Sequence, residues 1–334
     1  MLSGLRNVAR FAAEYTGGRT AAPVAAGWIS REEAIMGTSV RVELWSPDAS
    51  AGHAAIGAVM AEMHRIDGKM SPHKPDSELS QINGDAARSA VPVSQEMFDL
   101  LSRSIEFSEN SGGAFDITFA SVGHLFDYRQ KIKPTEAELA RGREAIGFRN
   151  MVLDPAARSV RFLRPGMRID LGGFAKGYAV DNSAAILRSR GIANAVVTAG
   201  GDSYVLGDRR GRPWTIGIRD PRNVGELVAV LPLQDVAMST SGDYERYFEQ
   251  DGVRWHHVID PKTGKSPAGV RSVTVIARDG LTTEALSKCV FVMGTSPGLR
   301  HVEAQAGVDA VIVDAAGVLH FSSGLLNRGP QASQ

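Results

Sequence analysis

The range Ile169–Asp181 brings a carboxylate, glycines and a lysine together where an apolar stretch gives way to a predicted helix. Asp170 comes first, Gly172 and Gly173 follow, and Lys176 falls in the first helical turn. Glycines let a backbone approach a ligand closely, and the free N–H groups at a helix start favour an anion. A lysine is unfavourable beside those N–H groups unless a phosphate or a carboxylate shares the site. The stretch therefore predicts an anion-binding turn or, equally well, a tight turn with a solvated lysine.

A second chemical feature is the pair His256 and His257, which precedes two apolar residues and the turn Asp260–Pro261. Imidazole is the side chain best suited to proton transfer near neutral pH. Neighbouring side chains on a strand point to opposite faces, so we expect at most one of the two rings to act. The alternative interpretation is a structural histidine at a strand end.

Two further segments offer groups that could contact a phosphate or a planar ring. Thr240 and Ser241 stand beside a glycine, and clustered hydroxyls of this kind can donate to phosphate oxygens. Phe115 and Asp116 follow a glycine turn, and an aromatic ring next to a carboxylate suits a planar heterocycle. Each segment by itself is as well explained by a hydrogen-bonded turn or by a core phenylalanine.

Composition and the absence of several motifs exclude other classes of function. Lys plus Arg and Asp plus Glu each number 37, so no net field attracts nucleic acid or an anionic membrane. The single cysteine, Cys289, excludes an internal disulfide and a thiolate metal site. The sequence has no Walker, HExxH, GxSxG or CxxC pattern, which argues against the common nucleotide kinases, zincins and serine hydrolases.

The sequence also carries expectations about membranes and location. No apolar run reaches the length of a transmembrane helix. The first residues contain neither a continuous apolar segment nor a cysteine for a lipid anchor. We therefore expect a cytoplasmic protein without a membrane anchor, or a periplasmic one if a leader has been removed.

These groups must be positioned by an α+β fold with more than one sheet, because strands and helices do not alternate regularly. We expect one compact domain over residues 34–328, a flexible leader over residues 1–33 and a disordered tail over residues 329–334. Thr135 and Glu138 have the spacing of a capping box and begin one helix. The other predicted helices are Ile56–Ile66, Met97–Ile105, Ala175–Arg190 and Thr283–Met293, and the predicted strands are Met36–Trp45, Val160–Leu163, Ala195–Thr198, Trp214–Ile218, Leu227–Leu231, Ser272–Ala277 and Ala310–Val313.

In order and spacing, seven segments of this chain together resemble the ApbE family, the FAD:protein FMN transferases. Each segment is weak by itself, but all of them in register make a specific resemblance that spans nearly the whole chain after the leader. The segments are Met36–Thr38, Pro75–Asn83, Gly113–Thr118, Asp170–Asp181, Ala199–Asp202, Thr240–Phe248 and His256–Gly264.

The resemblance implies an ApbE-like (T-fold-like) architecture of mixed sheets with packed helices, and FAD as the substrate. A Ser or Thr hydroxyl of a flavin-accepting protein would attack the FMN phosphorus, AMP would leave, and a phosphodiester would form. His257 falls at the family's proposed catalytic histidine. The residues expected to contact FAD are Met36, His73 (where the family often has a stacking Tyr), Ala114, Phe115, Asp116, Asp170 and Lys176, with Thr240 and Ser241 near the phosphates.

The family also uses Mg²⁺, and here the sequence departs from its pattern. The resemblance implies ligation by an Asp and a Thr on one helix and a backbone carbonyl near Gly173, but this chain has Glu284 and Lys288 at the two helix positions. Glutamate can ligate a hard cation, whereas a protonated lysine repels it. Glu284 and Lys288 are also spaced for a helical salt bridge. Either the two residues form a salt bridge that leaves this helix face neutral, or Lys288 supplies part of the positive charge that the metal would place beside the diphosphate.

Three functions are therefore left open. The first is FMN transfer from FAD to a protein. The second is an FAD sensor or carrier without catalysis, which the lysine at position 288 favours. The third is an FAD pyrophosphatase that uses the same site with water as the nucleophile.

Overall fold

A computed structural model of the chain describes residues 26–326. These residues form fifteen strands and nine α-helices, with short 3-10 turns at Ile117–Phe119 and Phe148–Asn150. The strands are β1 Gly27–Ile35, β2 Thr38–Ser46, β3 Val91–Pro92, β4 Met151–Asp154, β5 Ser159–Phe162, β6 Ala195–Ala199, β7 Asp202–Leu206, β8 Trp214–Arg219, β9 Leu227–Leu233, β10 Val236–Gly242, β11 Tyr247–Gln250, β12 Val253–His256, β13 Val270–Ala277, β14 Asp309–Asp314 and β15 Leu319–Phe321. The helices are α1 Ala49–Met70, α2 Glu78–Asp85, α3 Gln95–Asn110, α4 Ala120–Gly123, α5 Glu136–Ala145, α6 Ala175–Ser189, α7 Gly280–Met293, α8 Thr295–Glu303 and α9 Ser323–Leu326.

The largest sheet has eight antiparallel strands in the order β1-β2-β6-β7-β10-β13-β14-β15. Strand β2 alternates as predicted, with Val40, Val42 and Leu44 fully buried. They belong to one large apolar core with Ile56 and Met63 of α1. The remaining strands form the sheets β3-β5-β4, β8-β9 and β11-β12. Helices thus cover a mixed set of sheets, which confirms the α+β prediction.

Strand β1 corrects the predicted end of the leader. Residues 27–33 were expected to be flexible, but β1 pairs with β2 along its whole length, from Gly27 opposite Ser46 to Ile35 opposite Thr38. Most of β1 is exposed or half-buried, and backbone pairing rather than an apolar stripe holds it, so periodicity does not reveal it. The rest of the predicted leader up to residue 25 and the predicted tail at 329–334 lie outside the described residues.

Helices α6 and α7 approach each other closely at two glycines. A Cβ atom added to Gly177 would lie 2.1 Å from the carbonyl oxygen of Gly280, so only glycine allows this contact. Asp181 of α6 fixes the same contact, because its carboxylate accepts the N–H groups of Gly280 at 2.6 Å and Leu281 at 3.0 Å. Burial raises the pKa of Asp181 to about 6, although both hydrogen bonds act against this shift. The contact brings the first turn of α6 against the side of α7.

The structure defines the end of β12 and the start of α5. The hairpin β11-β12 ends at His256, so His257 leaves the strand at its edge. The predicted capping box is confirmed, since Thr135 and Glu138 bond reciprocally at the start of α5.

None of the helices within residues 26–326 has both the length and the hydropathy that a membrane crossing requires.

Candidate active site

Most of the predicted site residues meet at one cavity of about 520 Å³, here called the first cavity. Its wall is largely apolar and aromatic, which suits a planar ring system. The predicted residues that line it are His73, Ala114, Phe115, Asp116, Asp170, Gly173, His257 and Lys288.

A second cavity of about 950 Å³ adjoins the first. Met36 and Lys176 line only this second cavity, and Met36 has the left-handed φ of 55°. The two cavities therefore share part of their walls and lie side by side. The residues that line both are Pro72, His73, Phe126, Tyr128, Asp170, Gly172 and Arg246.

Asp116 is buried and uses both carboxylate oxygens within the protein. Oδ1 accepts the N–H of Thr118 at 2.9 Å and its hydroxyl at 2.6 Å, while Oδ2 accepts the N–H of Phe148 at 2.9 Å. Burial raises the pKa of Asp116, and these hydrogen bonds oppose the shift. Asp116 therefore holds the turn that places Ala114 and Phe115 on the cavity wall.

Asp170 lies at the junction of the two cavities. Its Oδ1 accepts the N–H of Gly172 at 2.5 Å, which closes the glycine turn. Asn83 clamps the preceding residue, because its side-chain amide exchanges hydrogen bonds with the backbone of Ile169 at 2.8 and 2.9 Å. Burial raises the pKa of Asp170, and the hydrogen bond from Gly172 and the positive charges of Arg246 and Lys176 counter this effect.

The two histidines have different environments. The ring Nε2 of His256 donates to the carbonyl of Pro267 at 2.9 Å, and this ring does not line either cavity. His257 lines the first cavity, and its buried Nδ1 has no hydrogen-bond partner within residues 26–326. Burial and then the charge of Lys288 lower the pKa of His257 to about 3, so its imidazole is neutral at neutral pH. The prediction that at most one ring could act agrees with this geometry.

Lys176 sits between two carboxylates at the start of α6. Its ammonium donates to Asp202 Oδ2 at 2.6 Å and to Glu284 Oε1. Glu284 also accepts the N–H of Gly177 through Oε2 at 2.7 Å. Burial alone would lower the pKa of Lys176, but the charges of Asp202 and Glu284 outweigh burial and raise it. The sequence left open an anion beside this lysine or a solvated lysine in a tight turn, and the structure places two carboxylates beside its ammonium.

Lys288 of α7 lines the first cavity. Its ammonium lies 3.8 Å from Glu284 Oε1 and donates to Ser287 Oγ at 3.4 Å. Its stem passes Gly173, since a Cβ added to Gly173 would lie 3.5 Å from Lys288 Cγ. Burial lowers the pKa of Lys288, Glu284 opposes this shift and Lys176 reinforces it.

The predicted magnesium site does not fit the donors at Gly173, Glu284 and Lys288. A hard divalent cation needs several oxygen ligands. Glu284 is the only carboxylate of the three, and its Oε1 already faces the ammonium groups of both Lys176 and Lys288. In the described part of the chain, no group of three or more His, Cys, Asp or Glu side chains is arranged to hold a metal ion. The expectation of Mg²⁺ at these residues therefore disagrees with the structure.

Thr240 and Ser241 are not brought to either cavity. Both lie on β10 rather than in a turn, and their hydroxyls bond within the sheet and to α7. Thr240 Oγ1 lies 2.9 Å from Thr274 Oγ1, and Ser241 Oγ lies 2.8 Å from Ser287 Oγ. The predicted phosphate contacts at these two residues do not follow from this geometry, because hydroxyls of β13 and α7 already bond to theirs.

Sequence reasoning missed Arg246 and the clamp at Asn83. Arg246 lines both cavities, and its guanidinium donates to the carbonyl of Gly37 at 3.3 Å. A guanidinium at this junction can bind phosphate oxygens in a bidentate manner. Both residues lie within segments on which the family resemblance rests, and that resemblance is the sequence signal that could have identified them.

A family model for the ApbE family matches residues 36–312. The chain belongs to the ApbE family. An FAD:protein FMN transferase from Treponema pallidum (strain Nichols) is 32% identical over 318 residues, covering 90% of this chain and 88% of that protein. One from Klebsiella pneumoniae (strain 342) is 30% identical and covers 84% of this chain and 87% of that protein.

Solved structures of ApbE proteins have the same fold. The ApbE protein from Thermotoga maritima is 34% identical, with a TM-score of 0.82 over 90% of this chain and 98% of that chain. The flavin transferase ApbE from Vibrio cholerae is 28% identical, with a TM-score of 0.80 over 90% of this chain and 99% of that chain. These matches confirm the predicted ApbE-like α+β fold and its single compact domain.

Proposed function

We propose that this chain is an FAD:protein FMN transferase that attaches FMN to a Ser or Thr hydroxyl of another protein and releases AMP. The observation that carries the proposal is the pair of adjoining cavities, of about 520 and 950 Å³, with His257 and cationic side chains on their walls. A dinucleotide needs room for two ring systems and positive charge for the diphosphate between them.

In this proposal FAD binds across the junction of the two cavities. His73 lines both cavities and can stack on a ring, while Phe115 lines the first cavity. The diphosphate lies near Gly172 and Arg246, which also line both cavities. Met36 and Lys176 contact the part of FAD in the second cavity.

His257 acts as the general base. The oxygen of the target hydroxyl forms a bond to the FMN phosphorus, its proton passes to the imidazole, and the bond from phosphorus to the AMP oxygen breaks. The imidazole is neutral before FAD binds because burial and Lys288 lower the pKa of His257. The negative charge of bound FAD acts in the opposite direction, so the ring becomes a better base in the complex.

The test is to incubate the protein with FAD and an acceptor domain that one of its relatives modifies, and to measure the intact mass of the acceptor. We expect a gain of one FMN, loss of that gain in His257→Ala, and an unchanged gain in His53→Ala, which alters an exposed histidine. AMP and FMN release without acceptor modification would instead indicate a pyrophosphatase. Tight FAD binding without any AMP release would indicate a carrier or sensor.

A further inference from the structure

Two lysines and two carboxylates form a cluster at one wall of the first cavity. Lys176 is ion-paired to both Asp202 and Glu284, and Lys288 lies 3.8 Å from Glu284 Oε1. The cluster has two positive and two negative charges, so it is neutral as a whole. The positions of these charges differ, however, because only Lys288 of the four lines the first cavity.

The two carboxylates accept hydrogen bonds from groups other than Lys288. Asp202 accepts the hydroxyl of Ser239 at 2.6 Å as well as the ammonium of Lys176 at 2.6 Å. Glu284 is fully buried and accepts the N–H of Gly177 at 2.7 Å in addition to Lys176. Both carboxylates therefore have donors other than Lys288, and Lys288 is the cation of the cluster that lines the first cavity.

Lys288 stands at a helix position where the family resemblance implies a metal ligand. Its stem lies along Gly173, and its ammonium shares Oε1 of Glu284 with Lys176. Its side chain is 17% exposed and lines the first cavity, as does His257. The charge of Lys288 reaches His257, whose pKa it helps to lower.

We infer that Lys288 is a resident cation of the diphosphate subsite, so that this chain binds and cleaves FAD without a divalent metal ion. The inference rests on the proposed function, since it concerns the same FAD site. An ammonium carries three N–H donors and one positive charge, which can pair with diphosphate oxygens as a point charge. The two ammonium groups surround the few oxygen ligands of this site with positive charge. A divalent ion would therefore find too few ligands here and would be repelled.

The test compares the affinities for FAD and for riboflavin, a flavin without phosphate, measured by calorimetry in EDTA. We expect Lys288→Gln to weaken FAD binding by about 10-fold or more, the usual effect of losing a charge-assisted hydrogen bond. Riboflavin affinity should not change, because riboflavin has no diphosphate. Lys288→Arg keeps the charge and should retain FAD affinity within a few-fold. Lys265→Gln is the matched control, since it removes a lysine that pairs with Glu136 at 3.2 Å and lines neither cavity.

The second arm adds millimolar MgCl₂ to the wild-type protein. We expect FAD affinity and AMP release to change by less than about threefold, because an ammonium already neutralises the diphosphate. An FAD affinity that Lys288→Gln leaves unaltered would overturn the inference. So would equal losses for FAD and riboflavin, which would assign Lys288 a structural role, or a wild type that binds FAD only with Mg²⁺. A wild type that binds neither flavin under either condition would instead refute the proposed function itself.

Discussion

Replacing Gly177 by alanine tests whether the contact between α6 and α7 positions the site. A Cβ at this residue would lie 2.1 Å from the carbonyl oxygen of Gly280. Carbon and oxygen atoms in close contact are normally about 3.3 Å apart, so the two helices must separate by about 1.2 Å along this line. The obstacle is backbone, so no side chain can rotate away to make room.

Three effects set the size of the destabilisation. Overpacking costs up to about 3 kcal/mol, and a rigid backbone obstacle puts this case at the upper end. Separation of the helices also strains the 2.7 Å hydrogen bond from Gly177 N–H to the Glu284 carboxylate, and a bond to a charged group contributes about 1.5 kcal/mol or more. The better helix propensity of alanine returns at most about 1 kcal/mol. We therefore expect Gly177→Ala to lower the free energy of unfolding by about 3 kcal/mol, a balance of overpacking and a lost bond against propensity.

The assay is urea unfolding followed by circular dichroism, with Gly57→Ala as the matched control. Gly57 lies within α1, and a Cβ added there meets nothing within 4 Å. That substitution should raise the free energy of unfolding by about 0.5–1 kcal/mol, through helix propensity alone. FAD affinity should fall in Gly177→Ala, because α7 carries Lys288 into the first cavity. A Gly177→Ala protein as stable as wild type, with the same dependence on urea, would refute the reasoning.

Three further outcomes follow from the structure. His257→Ala should lower the rate of FMN transfer by about 10²- to 10⁴-fold with little change in FAD affinity. In the wild type, a plot of kcat/KM for FAD against pH should show no titration step near pH 6.5, because the pKa of His257 is about 3. Glu96→Gln should cost about 1–2 kcal/mol at pH 7 after allowance for solvent screening, because hydrogen bonds from Arg65 lead the interactions that lower the pKa of Glu96 to about 2. That pKa lies below the unfolded value, so the contribution is present above about pH 4.5 and is lost as pH falls through about 2, which urea titrations at several pH values would show. Thr135→Ala should cost about 1 kcal/mol in the same assay, because it removes the cap of α5.

The sequence by itself determined the local elements and the family. The alternation of β2, the apolar stripe of α1 and the capping box at Thr135 are all visible within a few consecutive residues. Their signals are strong because periodicity and end-capping depend on near neighbours in the chain. The ordered segments that resemble the ApbE family identified Asp170 and His257, and the structure brings both to one cavity.

Only the tertiary structure decided which groups pair with which. Lys176 is expected to contact FAD, and nothing in its sequence neighbourhood shows that its ammonium also pairs with Asp202 and with Glu284, which is 108 residues away. The hydroxyls at Thr240 and Ser241 resemble a phosphate-binding turn in sequence, but strand pairing places them against β13 and α7.

The same limit applies to β1 and to the metal site. Strand β1 has no clear apolar period and is defined by its pairing with β2. Two ammonium groups meet at one oxygen of Glu284 only because Gly177 and Gly280 let α6 and α7 pack backbone to backbone. Such contacts join residues far apart in the chain. They are stabilised by packing of the whole core and not by any local segment, so local sequence patterns do not reveal them.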